Sequence, residues 1–128
     1  MLEKEKKPKI LIIEDDHFLA NIYVTIFSQK DFEVLTSGTG EDGWKLIERE
    51  QPDVVLLDIL LPGPMNGLDV LRKIRRNETS MKIPVIILSN CDDDETISEG
   101  LRIGAESYFI KAQTTPDDIL HSVMTFLN

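Results

Sequence analysis

Five short apolar runs punctuate the chain, at residues 9–13, 32–36, 54–57, 85–88 and 108–110. Four of the five are rich in Val, Ile and Leu with no polar alternation, the pattern of strands covered on both faces. Longer stretches of helical period lie between them. Phe18, Leu19, Ile22, Ile26 and Phe27 share one face of a first helix, and Trp44, Leu46 and Ile47 mark a second. Leu68, Leu71 and Ile74 mark a third, Ile97, Leu101 and Ile103 a fourth, and Ile119, Leu120, Val123 and Leu127 a fifth. Thr115, Pro116, Asp117 and Asp118 read as the start of that fifth helix: a cap, a proline in the first turn, and two acids at the positive end of the dipole. Gly104 fits the end of the fourth. Strand and helix alternating five times predict an α/β fold, a doubly wound five-stranded parallel sheet in a three-layer sandwich. With the second strand outermost and the first beside the third, the order is 2-1-3-4-5, every crossover right-handed.

Composition narrows the function. The 128 residues suit a single domain. Residues 1–8, MLEKEKKP, are mixed in charge and end in proline, so they read as a flexible lead-in to a domain at 9–128. The lone cysteine, Cys91, offers neither a disulfide framework nor a zinc cage. A net charge of −9 repels nucleic-acid phosphates and anionic membranes. No apolar run approaches the roughly 20 residues of a membrane span, and residues 1–8 lack the apolar core of a signal peptide. The expectation is a soluble cytoplasmic protein with no direct nucleic-acid or membrane partner.

Ligands of open α/β sheets sit at the carboxyl ends of the strands, and the residues there carry chemistry. Glu14, Asp15 and Asp16 follow the first run, Asp58 the third, Ser89 and Asn90 the fourth, and Lys111 the fifth. The second run ends in Thr36 and Ser37, without charge. Bringing Glu14, Asp15 and Asp58 together either raises their pKa values or demands a cation. An all-oxygen donor set with room for water suits Mg²⁺ better than Ca²⁺ or zinc. A carboxylate beside Mg²⁺, a hydroxyl and a lysine makes a phosphoryl-transfer site, with Asp58 as nucleophile.

The segments ILIIEDD at 10–16, VVLLDILLPG at 54–63, NGLDVLRKIR at 66–75, PVIILSN at 84–90 and GAESYFIKA at 104–112 resemble the receiver domain of two-component response regulators. The resemblance implies a flavodoxin-like fold like that of the chemotaxis regulator, which also serves as a general example of this strand order. It implies that Asp58 accepts a phosphoryl group from a sensor histidine kinase or a histidine phosphotransfer protein. Asp15 would bind Mg²⁺ directly and Glu14 through water, with Asp58 and the Leu60 backbone carbonyl completing the metal ligands. Ser89 and Lys111 would contact the phosphoryl group. Tyr108 would act with Ser89 as the switch, turning inward on activation and reshaping the face of the fourth helix, fifth strand and fifth helix that an output partner reads. A dimer formed on phosphorylation fits the same scheme. On this reading the chain is a signalling switch and catalyses only its own phosphoryl transfer and autodephosphorylation. Two alternatives stand beside it: a phosphorelay intermediate that passes the group to a histidine phosphotransfer protein, and a binding module that is never phosphorylated. A phosphatase with an aspartate nucleophile wants a second acid two residues on, where this chain has Leu60.

Three positions depart from the family pattern. Ala112 follows Lys111 where proline is usual, which leaves the isomer of that peptide open; the loop after Asp58 is one residue longer; and Asn90 stands where a small residue is typical. The resemblance implies that the positions of Leu60 and Cys91 flank the path of the water that removes the phosphoryl group; neither residue orients a water well, so slow self-dephosphorylation is expected. Asp16 reads as a helix cap, His17 and His121 as solvated, Trp44 as packing, Cys91 as a plain loop thiol, and Asp92, Asp93, Asp94 and Glu95 as charge at a helix N-terminus.

Overall fold

The computed structural model describes residues 6–127. Residues 1–5 of the expected lead-in lie outside the described residues, and Pro8 is already tied down, its carbonyl accepting from the Glu33 N–H at 2.9 Å. The strands are β1 (Lys9–Ile13), β2 (Glu33–Ser37), β3 (Val54–Leu57), β4 (Val85–Ser89) and β5 (Ser107–Ile110). The helices are α1 (His17–Gln29), α2 (Gly40–Glu50), α3 (Gly67–Arg76), α4 (Asp94–Ile103) and α5 (Pro116–Leu127). All strands pair in parallel in the order β2-β1-β3-β4-β5.

Side chains alternate across each strand, so one run of apolar residues fills two cores. Leu11, Ile13, Val55, Leu57, Val85 and Ile87 face Ile47 of α2 and Val70, Leu71 and Ile74 of α3. Ile10, Ile12, Val54, Leu56, Ile86 and Leu88 face Tyr23 and Phe27 of α1 and Ile119 and Val123 of α5. That two-sided burial is why the strands carry no polar alternation.

Helix starts follow the predicted chemistry. Asp16 accepts from the N–H groups of Phe18 and Leu19. Asp93 caps α4 through Thr96, with Asp94 and Glu95 in its first turn. Thr115 and Asp118 exchange hydrogen bonds at the start of α5.

Several boundaries and faces differ from the sequence reading. β2 begins one residue later, because Phe32 belongs to the turn out of α1: its N–H bonds to the Phe27 carbonyl and its ring meets Phe27 edge-on at 5.0 Å. β4 and β5 each gain a residue, Ser89 and Ser107. The buried stripe of α1 is Ala20, Tyr23 and Phe27; Phe27 lies on the expected face and half-buried Leu19 packs against the same core, whereas Phe18 is 78% exposed. In α4 the one buried residue is Gly100, and Leu101 points outward. A 3₁₀ turn over Lys111–Gln113 follows β5, and the described residues contain no cis peptide, so the Lys111–Ala112 bond is trans.

Candidate functional site

Register builds the site. Ile13 pairs with Leu57, so the residues that follow, Glu14 and Asp58, leave the sheet side by side. Ser89 pairs with Ile110, which brings Lys111 to the same edge. Both carboxylates are deeply buried, Glu14 at 6% exposure and Asp58 at 4%, while Asp15 is exposed.

Lys111 joins the two buried acids, its Nζ lying 2.7 Å from Glu14 Oε1 and 2.8 Å from Asp58 Oδ2. The remaining oxygens are held by backbone: the Asp16 N–H donates to Glu14 Oε2 at 3.1 Å and the Leu60 N–H to Asp58 Oδ1 at 3.3 Å. Carboxylate oxygens of Glu14, Asp15 and Asp58 all lie within 4.8 Å of one another. Burial pushes the Glu14 pKa up to about 7, with the Asp58 charge adding to the rise and Lys111 and the Asp16 N–H opposing it. For Lys111, burial favours the neutral amine, but its bonds to Asp58 and Glu14 outweigh that and hold its pKa above the usual value. One ammonium against three carboxylates leaves the pocket negative, and hard oxygen donors in that arrangement fit a divalent cation such as Mg²⁺.

Ser89 is fully buried at the end of β4, its hydroxyl accepting from the Cys91 N–H at 3.3 Å. Tyr108 is turned toward the same loop: its hydroxyl donates to the Cys91 carbonyl at 2.6 Å, and its ring lies beside Gly100 of α4. Asn90 is exposed beyond the strand and makes no side-chain hydrogen bond among the described residues. The Leu60 side chain is 60% exposed at the mouth. The sequence pointed to Lys111 as a contact for phosphoryl oxygens; its bridging of Glu14 and Asp58 needed the register of β1, β3 and β5 to be seen.

Tyr23 and Tyr108, the two tyrosines of the chain, are each raised to about 12, chiefly by burial. Between the ordinary value of 10.0 and about 12 the unfolded chain releases phenolic protons that the folded chain keeps, so stability falls as pH rises through that window. A spectrophotometric titration should therefore show both phenols ionising well above the usual range, and in denaturant near it. Ordinary titration of either phenol in the folded protein would contradict the packing described.

The sequence matches the response regulator receiver domain over residues 10–124. The chain belongs to that family. The receiver is 36% identical over 104 residues to the transcriptional regulatory protein AfsQ1 of Streptomyces coelicolor, covering 81% of this chain and 44% of that protein. It thus spans less than half the length of that relative. Among solved structures, the BeF3-activated N-terminal receiver domain of Klebsiella pneumoniae RstA superposes with a TM-score of 0.84 at 31% identity, over 94% of this chain and 98% of that one. A receiver domain protein of Methanospirillum hungatei, described as CheY-like, gives a TM-score of 0.86 at 28% identity, over 94% of each chain. The family ties the receiver to phosphorylation-dependent signalling. No helix among the described residues is long and apolar enough to cross a membrane.

Proposed function

We propose that the domain, at residues 9–128, takes a phosphoryl group onto Asp58 from the phosphohistidine of a sensor histidine kinase or a histidine phosphotransfer protein. The carrying observation is the buried Asp58 carboxylate held by Lys111 at 2.8 Å beside Glu14 and Asp15. A carboxylate oxygen of Asp58 forms the new bond to phosphorus, the bond from phosphorus to the donor imidazole nitrogen breaks, and the imidazole leaves with that electron pair. Glu14, Asp15, Asp58 and the Leu60 carbonyl would hold Mg²⁺, which supplies charge neutralisation for the transferring oxygens. Lys111 then pairs with the phosphoryl oxygens and the Ser89 hydroxyl donates to one of them.

Moving a switch from 1:99 to 99:1 takes about 5.5 kcal/mol. Hydrogen bonds to charged groups contribute about 1.5–3 kcal/mol each, so Ser89 and Lys111 supply about 3–6. The movement of Ser89 is passed through the Cys91 loop to Tyr108 and on to the surface of α4, β5 and α5, where an output partner or a second phosphorylated copy binds. Incubation with acetyl phosphate and Mg²⁺ is expected to add one phosphoryl group by intact mass, a gain absent without Mg²⁺ and absent in Asp58→Asn. No gain with any donor would overturn the reading in favour of a binding module.

Leu60 and Cys91 offer no oriented acceptor for an attacking water, so the phosphoryl group is long-lived. Leu60→Asn with Cys91→Glu should speed its decay about tenfold, the factor that about 1.4 kcal/mol of added hydrogen bonding to the transition state supplies. An unchanged lifetime would count against it. Rapid loss from the parent chain only to a histidine phosphotransfer protein would mark a phosphorelay intermediate.

A further inference from the structure

The loop after Asp58 is held by α2. Its base is closed where the Gly67 N–H donates to the Ile59 carbonyl at 2.9 Å. Between these ends run Leu60, Leu61, Pro62, Gly63, Pro64, Met65 and Asn66, with two prolines that lack an N–H and Gly63 at φ 86. Such a segment has little backbone hydrogen bonding of its own. Its Met65 N–H instead donates to Glu41 Oε1, in the first turn of α2, at 3.0 Å. The same turn presses on the loop directly, since a Cβ added to buried Gly40 would lie 2.5 Å from the Met65 carbonyl oxygen. A Cβ added at Gly63 would lie 3.2 Å from Glu41 Oε2. At the other end of the loop, the Leu60 N–H reaches the Asp58 carboxylate.

We propose that Glu41 is a positioning residue for the phosphoacceptor site, fixing residues 60–65 through the Met65 N–H and so setting the backbone of Leu60 against Asp58 and the metal. The inference rests on the metal-assisted reading given above. Glu41 also places negative charge at the start of α2, but that role needs only the charge, whereas the loop needs only an acceptor oxygen. Glu41→Gln keeps the oxygen and drops the charge; Glu41→Ala drops both.

Mg²⁺ affinity of the whole chain, measured by isothermal titration with circular dichroism as the check on folding, separates the two. Glu41→Ala should bind Mg²⁺ about tenfold or more weakly, the range seen when a group that orients a metal ligand is removed. Glu41→Gln should keep most of the affinity. In the parent chain the Met65 amide should exchange slowly with solvent, a readout that survives if Glu41→Ala does not fold. Equal Mg²⁺ affinity in Glu41→Ala and the parent, an equal loss in both variants, or a fast-exchanging Met65 amide would overturn the assignment. A parent chain that binds no Mg²⁺ at all would overturn the functional reading as well.

Discussion

Gly67→Ala should destabilise the receiver by about 3 kcal/mol or more, at the upper end of what overpacking costs. A Cβ at this position would lie 2.1 Å from the Asp58 carbonyl oxygen and 2.7 Å from Ile59 Cα. Both are backbone atoms, so no rotamer change relieves the clash. Either α3 retreats from β3, breaking the bond from the Gly67 N–H to Ile59, or the strand end moves and carries Asp58 with it. The urea midpoint should fall by about 1–3 M for slopes of about 1–3 kcal/mol per M. On the proposed function, folded protein that remains should accept phosphoryl poorly, because Asp58 has shifted. Gly38→Ala is the matched control: its nearest neighbour would be Asp15 Cα at 4.0 Å, and its effect should stay within about 0.5 kcal/mol. Equal midpoints for the two variants would refute the close approach of α3 to β3.

Arg75→Ala should cost about 2–3 kcal/mol, the scale of hydrogen bonds to a charged group that leaves partners stranded. The side chain is only 17% exposed, and its guanidinium works in three directions. Its Nε and Nη2 donate to the Gly104 carbonyl at 3.1 and 2.8 Å, and Nη1 donates to the carbonyls of Ile83 at 2.8 Å and Met81 at 3.2 Å. Nη2 also pairs with Glu106, whose carboxylate accepts from the Val85 N–H at 2.7 Å. One side chain thus ties the end of α3 to the entry of β4 and to the α4–β5 junction. Arg75→Lys should recover little, since a single ammonium cannot span a fork of carbonyls. A thermal or urea midpoint for Arg75→Lys equal to the parent would show that charge alone suffices.

The sheet was readable because its central strands are buried twice over: a run such as VVLL at Val54–Leu57 cannot be a surface helix, and the polar residue that ends it is conspicuous. Glu14, Asp58, Ser89 and Lys111 stood out for that reason, and parallel register does the rest. Helical faces were less legible. In α1 the aromatic Phe18 fits an i, i+4 stripe with Ile22 and Ile26, yet the core takes Ala20, Tyr23 and Phe27, because the direction in which α1 crosses the sheet is set by tertiary packing. Nothing in the sequence singled out Arg75 or Glu41, since each finds an acceptor or donor on a loop far away in sequence. The contact of the Tyr108 hydroxyl with the Cys91 carbonyl is equally a product of the assembled loop.

Ten residues make up α4, and none of them contributes a fully buried side chain, since its single buried position is a glycine. A Cβ there would stand 2.9 Å from Ile87 Cδ1, the tip of a side chain that would have to shift. Its neighbours along the helix carry little of the core, and exposed substitutions away from special features change stability by about 0.5 kcal/mol or less. Mutation can therefore rewrite the outer face of α4 at small cost while keeping the fold.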